Sequence, residues 1–363
     1  MLSEKAKKKS AVSMYRVGVA LLVILFVVVI GPGLLNLESS SAQARDGRHY
    51  RGDDTRYYGA AACAETSEAA LTACQFAAKE EYNLALGRCE NVFGKKQCET
   101  AAREEFYSAL DECNEQFDAR QEVCAEIGPG PYLPKGIKPS DFEEVPFGNN
   151  YFPLEPGTIY TYKNYDENDE IQETIVVEVK NETREIAGVE CRVVQDTVYE
   201  GDLDEDDEHQ KVEDTTDWYA LKKNGDVWYF GEIALNYEDG VVTDIDGSWT
   251  TGQEGAKPGI IMYIDLSAHL YETYRQEFAL SEAEDVATIV EILTPAQFKE
   301  VDGADKVLAE FITGDILHTL EFAALEPGVF EDKFYAPGIG NILTVNEDSG
   351  EMEVLEKKEE LAP

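Results

Sequence analysis

Six cysteines stand at mirror-symmetric intervals. Cys63, Cys74, Cys89, Cys98, Cys113 and Cys124 are separated by 11, 15, 9, 15 and 11 residues. Such a palindrome is what two antiparallel rods folded about Phe93-Gly94 produce when they are joined at matched levels. The surrounding residues favour helix: Ala, Glu, Leu, Gln, Lys and Arg dominate, and no Pro occurs between 60 and 126. Steps of 11 and 15 residues advance a helix by about three and four turns, so the cysteines of one arm share a face. Six cysteines allow fifteen pairings in principle. The helical hairpin selects Cys63–Cys124, Cys74–Cys113 and Cys89–Cys98, the set that places partners opposite each other at every level. Disulfides need Cα atoms about 4.4–6.8 Å apart. Ala70, Ala73, Ala78, Ala85, Ala101, Ala102 and Ala109 allow the helices that close an approach. Zinc ligation is the competing use of cysteines, but its ligands usually pair at two to four residues, and these do not.

Disulfides require an oxidising compartment, and the N-terminus supplies a route to one. Lys5, Lys7, Lys8, Lys9 and Arg16 precede the apolar run 17–30. Gly31-Pro32-Gly33 then breaks the helix, and Ala42-Gln43-Ala44 follows. Residues 1–44 therefore read as a signal peptide ending at Ala44. The same stretch reads equally as an anchor, because 17–37 is long enough to cross a bilayer as a single helix. Either way residues 45–363 lie outside the cytosol, at the periplasm, cell surface or beyond. The chain carries 73 Asp and Glu against 31 Lys and Arg, a formal charge of −42. That surface repels nucleic acid and anionic lipid, and it attracts cations and basic partners. Membrane contact is then expected only through 17–37, if that segment is retained.

The fold class expected is α+β: a stapled antiparallel helical hairpin followed by a mainly antiparallel β-sheet domain. Residues 45–59 read as a linker, 60–126 as the hairpin, and 127–146, with its run of Pro and Gly, as a stiff second linker. From 147 to 350 the pattern changes to short strands at 158–165, 172–179, 189–199, 217–221, 227–230, 271–278, 329–335 and 341–345. Asn224-Gly225 is the strongest hairpin turn among them. Residues 281–292 fit a helix capped by Ser281 with Glu284 three positions on, and they also fit a strand. The charged residues 351–363 read as a disordered tail.

Several short motifs in this region occur together: Pro153-Leu154-Glu155-Pro156-Gly157, Trp228-Tyr229-Phe230-Gly231-Glu232, Pro258-Gly259-Ile260-Ile261-Met262, Tyr274-Arg275-Gln276-Glu277, Leu325-Glu326-Pro327-Gly328 and Tyr335-Ala336-Pro337-Gly338-Ile339-Gly340. As a set over about 147–350 they resemble a family of uncharacterised exported bacterial β-rich proteins. The resemblance implies bacterial export and a β fold, and it implies no activity. The hairpin lies outside it.

Chemistry-bearing residues are few. Asp202, Asp204, Asp206, Glu208 and Glu213 have the alternate spacing of a calcium loop. Asp207 stands where an EF-hand needs Gly, so the choice lies between a looser Ca²⁺ loop and a solvated acidic turn. His49, His209, His269 and His318 have no ligand spacing to one another. Cys191 is left over as a free thiol, read as a buried apolar residue within a strand. Trp218, Tyr219, Trp228, Tyr229 and Phe230 face each other across the 224–225 turn, where alternation buries half and exposes half. They read as core, or as one wall of a ligand site. No nucleophile, phosphate-binding or His-Glu-x-x-His motif occurs. The expected role is a non-catalytic cell-envelope binding or structural protein without a cofactor, its ligand or envelope partner unidentified. The alternatives are a secreted enzyme acting on polysaccharide through paired carboxylates and a calcium-stabilised surface protein.

Overall fold

The computed structural model describes residues 61–204 and 209–361. The expected leader at 1–44, the expected linker at 45–59, His49, Asp206 and Glu208 lie outside them. Helices α1 (Ala62–Cys89) and α2 (Lys95–Ile127) run antiparallel. The chain reverses at Gly94, whose φ of 88° is open to glycine at no steric cost. Cys63–Cys124, Cys74–Cys113 and Cys89–Cys98 are bonded, with Cα separations of 5.7, 5.8 and 5.6 Å. The hairpin buries little besides Ser67, Ala70, Cys89, Ala102, Cys113, Arg120 and Val123. Staples worth about 2–4 kcal/mol each therefore substitute for a core.

The β domain is built from β1 (Thr158–Tyr165), β2 (Ile171–Ile186), β3 (Val189–Glu200), β4 (Lys211–Leu221), β5 (Val227–Glu238), β6 (Val241–Asp244), β7 (Trp249–Thr250) and β8 (Lys257–Met262). It continues with β9 (Thr273–Arg275), β10 (Glu277–Phe278), β11 (Asp285–Leu293), β12 (Ile316–Ala323), β13 (Glu331–Ala336), β14 (Gly340–Asn346) and β15 (Met352–Glu360). One helical turn, α3 (Pro295–Phe298), follows β11. The strands pair antiparallel in the order β10-β8-β5-β4-β3-β2-β1-β15-β14-β13-β12-β11-β9.

The two ends of that order are consecutive in the chain. β9 pairs with β11 on one side, β10 pairs with β8 on the other, and only Gln276 separates them. Residues 273–278 thus draw the sheet into a nearly closed barrel, which removes most of the exposed edge that a long open sheet would carry. The closure is tight. A Cβ on Gly259 of β8 would lie 2.3 Å from the backbone of Gln276, so only glycine fits there.

Two expectations change, and a third, left open between helix and strand, is resolved as strand. Residues 352–360 are not a tail: β15 lies between β1 and β14. Val354 and Leu355 are both fully buried, beside a register shift at Thr161/Tyr162. Residues 285–293 form a strand. Glu284 does accept from the Ser281 amide at 2.8 Å, but Ser281 sits at φ 66° in a turn rather than at a helix start. Finally, 127–146 does not span open space. Tyr132 donates to the Pro258 carbonyl at 2.9 Å, and Phe142 is buried edge-on against Phe230, its ring 5.3 Å away. The segment is a strap along the outside of the barrel.

The hairpin is docked as well. Arg120 of α2 donates from Nε and Nη2 to Glu284 at 2.9–3.0 Å, both side chains being almost fully buried. Val123 packs with Val286 and Ala324. Gln116 donates to the Leu325 carbonyl at 3.1 Å. Beyond these contacts the hairpin projects, and Phe76, Leu84, Phe93 and Tyr107 are exposed along it.

Candidate functional site

Side chains alternate between the two faces of a strand, so each strand of a barrel offers every second residue to the interior. Here many of those positions are acidic. Asp217 on β4, Glu232 on β5, Glu277 on β10, Asp285 on β11, Glu321 on β12 and Glu331 on β13 are all at least nine-tenths buried. Asp196 on β3 and Glu353 on β15 join Asp217, Glu277, Asp285 and Glu321 around a cavity of about 160 Å³. Lys333 is the one lysine lining it. Tyr160, Tyr162, Tyr219, Tyr229 and Tyr335 supply much of the remaining wall.

Buried carboxyl groups need donors, and several are supplied. Tyr229 donates to Asp217 Oδ1 at 2.5 Å, and Trp249 Nε1 to Glu277 Oε2 at 2.8 Å. Glu321 accepts from Thr319 at 2.9 Å and from Tyr335 at 3.0 Å. Lys333 lies 3.2 Å from both Glu321 and Glu331. The supply then runs out. Asp196 Oδ1, both oxygens of Glu232, Glu277 Oε1 and Asp285 Oδ1 meet no N–H or O–H donor. Asp285 is near enough to Glu277 for its charge to disfavour ionisation of Glu277.

Burial disfavours the charged form, and like charges nearby add to the effect. Asp217 is pushed up to about 7 by burial and by Glu213, against the pull of the Tyr229 hydroxyl. Asp285 reaches about 7 by burial, with Lys333 holding it back. Glu353 reaches about 7 in the same way, with Lys333 opposing and Glu331 adding. Asp196, Glu232 and Glu277 are raised well above the usual carboxylate range by burial first and neighbouring acids second. Burial alone would lower Lys333, but Glu321 and Glu331 raise it well above an ordinary lysine. Burial and mutual repulsion thus favour the neutral form of these carboxyl groups.

The residues singled out by sequence are distributed differently. Asp202 and Asp204 sit 3.0 and 2.8 Å from Lys163 Nζ, so a cation from the protein already stands between them. Glu213 faces the barrel interior from β4, where Thr215 donates to it at 2.7 Å. Asp202, Asp204 and Glu213 thus do not converge. Among the described residues no group of three or more acidic, histidine or cysteine side chains is arranged to hold a metal ion. Cys191 is fully buried against the strap side of the barrel, where burial pushes its thiol up. His269 stacks on Tyr263 with ring centres 3.7 Å apart, and His318 bonds Asp332 at 2.5 Å. The aromatic cluster is divided by the barrel wall. Tyr219 and Tyr229, stacked at 4.8 Å, face the cavity. Trp218, Trp228 and Phe230 face outward, yet they are buried because the strap covers them. Half-exposure was the expectation for a bare strand face, and the strap removes it.

No family model and no curated protein matches this chain. Solved structures similar to it include a candidate lipoprotein from Parabacteroides distasonis, at 12% identity and TM-score 0.28, covering 58% of this chain and 99% of that one. A candidate exported protein with a YmcC-like fold from Bacteroides fragilis is similar at 13% identity and TM-score 0.29, covering 58% and 100%. A beta-barrel-like protein of the Domain of Unknown Function DUF1849 from Brucella abortus is similar at 11% identity and TM-score 0.33, covering 56% and 97%. Among the described residues no helix is long and apolar enough to cross a membrane; residues 17–37 are not among them.

Proposed function

We propose that this chain is an exported, non-catalytic envelope protein whose barrel takes up a small organic amine. One observation carries the reading: the 160 Å³ cavity is walled by carboxyl groups and tyrosines, and some of its buried carboxyl oxygens lack donors. An ammonium group supplies three donors and a charge, and tyrosine faces attract cations. A bare metal ion fits less well, because Ca²⁺ takes six to eight oxygens converging at about 2.3–2.6 Å. The volume is below the roughly 300–1,000 Å³ of pockets for larger ligands, which disfavours a sugar chain and with it polysaccharide hydrolysis. The leader-like residues 1–44 and the three disulfides support export. Both release after Ala44 and anchoring through 17–37 fit that placement.

Calorimetry with 1,4-diaminobutane and 1,4-butanediol as paired probes tests the reading. The diamine is expected to bind, the diol to give no heat, and Glu277→Gln to weaken the diamine. Equal behaviour of the two probes would remove the proposal.

A further inference from the structure

A second cavity, of about 450 Å³, lies where three parts of the chain meet. The base of the hairpin contributes Arg120 and the Cys63–Cys124 bridge. The strap contributes Tyr132. The barrel wall contributes Tyr263, Arg275 and Phe278. Its electrostatics are opposite to those of the barrel interior. The lining carboxylates are already bonded: Glu284 to Arg120, Glu272 to His269 at 2.6 Å, and Asp226 to Asn224 at 2.6 Å and to the Ile264 amide at 3.1 Å.

Arg275 is the exception. Its side chain is 8% exposed, and its Nε and Nη1 make no hydrogen bond. Two ring faces flank it, Phe278 at 4.7 Å and Tyr132 at 5.8 Å from the guanidinium. Arg120 nearby also has an unbonded, buried Nη1. Burial lowers the Arg275 pKa, Glu284 and Tyr132 work against that, and Arg120 adds to it. A buried cation without hydrogen-bond partners is costly, and proteins normally pair it. Among the described residues no side chain bonds Arg275 Nε or Nη1, and Arg275 borders the cavity.

We propose that this seam cavity binds an oxyanion carried on a flat apolar body, with Arg275 and Arg120 Nη1 holding the oxyanion and the aromatic wall holding the body. Guanidinium groups are suited to carboxylate and phosphate, and the cavity falls in the roughly 300–1,000 Å³ range of small-molecule sites. Because hairpin, strap and barrel all contribute, the ligand would also tie the projecting hairpin to the barrel. The proposal is independent of amine uptake, since the two cavities share no lining residue.

The test uses the full chain, with phenyl phosphate, benzoate and inorganic phosphate as probes. Calorimetry is read together with the fluorescence of Trp228, which lines the cavity. Phenyl phosphate or benzoate is expected to bind, the stronger of them identifying the oxyanion, and inorganic phosphate to bind more weakly than its phenyl ester. Arg275→Met and Arg275→Gln should each lose at least about tenfold in affinity, as expected when a charge-assisted contact is removed. Without ligand both variants should melt no lower than the parent, because they remove an unpaired buried charge. Variants that bind the probes as well as the parent would overturn the proposal. So would variants that fail to fold, since that outcome makes Arg275 structural, and so would the absence of binding by every probe.

Discussion

Raising the pH should destabilise this barrel through its interior. Asp217 has an ordinary pKa of 3.8 when exposed and about 7 when folded. A folded-state value above the unfolded one means that the group's contribution is complete below about pH 4 and is lost as pH rises to about 7. Three units at about 1.4 kcal/mol each set the loss from this one group at about 4 kcal/mol. That is a large part of the roughly 5–15 kcal/mol typical of a folded domain. Asp285 and Glu353, also at about 7, act in the same direction, although interacting groups do not add simply. Surface self-repulsion from the −42 charge would mimic the trend, but about 0.5 M salt screens exposed charges and leaves buried ones little affected. The assay is urea denaturation at pH 4.5 and 8 in that salt with disulfides intact, read by tryptophan emission. All three tryptophans (Trp218, Trp228 and Trp249) lie in the barrel. The parent should be several kcal/mol less stable at pH 8. Asp217→Asn keeps the shape and removes the charge, so it should match the parent at pH 4.5 and exceed it by about 2–4 kcal/mol at pH 8. A parent whose stability is flat or rises over this interval, or an Asp217→Asn variant weaker at pH 8, would refute the reasoning.

Three further outcomes follow from particular contacts. Ending the chain at Gly350 should leave the barrel unfolded in circular dichroism and near-UV spectra, because loss of β15 opens the edges of both β1 and β14; a native melt after truncation would contradict the placement. Glu284→Gln should cost about 3–5 kcal/mol in denaturant, since it strands a buried guanidinium. The apolar double variant R120M/E284M should recover most of that loss, and a smaller loss in the single variant than in the double would contradict the pairing. Calcium or a chelator should leave the melting temperature unchanged, because Lys163 stands between Asp202 and Asp204; a calcium-induced rise abolished by Asp204→Asn would show the loop to be a metal site.

The hairpin was legible because paired helices bonded at three levels impose an arithmetic on the sequence that few other arrangements share. β1 was legible to the residue, since Thr158–Tyr165 alternates cleanly between inward and outward positions. β15 was not. Its charges suggested solvent, and a register shift puts Val354 and Leu355 both inside, which breaks the alternation that marks a strand. The acidic interior was hidden for a related reason. On β4 the inward positions include Glu213, Thr215 and Asp217, while Trp218 faces outward beneath the strap. The usual assignment of polar residues to solvent is therefore reversed, and the inward acids are interleaved with Thr and Tyr, so no local pattern marks them. The seam cavity had no sequence signal. Its lining comes from segments more than a hundred residues apart, and nothing local distinguishes Arg275 from an ordinary strand arginine.

The claim on which the account rests is that the barrel interior holds protons which a cationic ligand displaces. Calorimetric titration of the full chain with 1,4-diaminobutane at pH 7, repeated in two buffers of different ionisation enthalpy, counts those protons. The account predicts net proton release on binding and an affinity that strengthens from pH 6 to pH 8. Binding with no proton exchange, or with affinity that weakens over that interval, would contradict it.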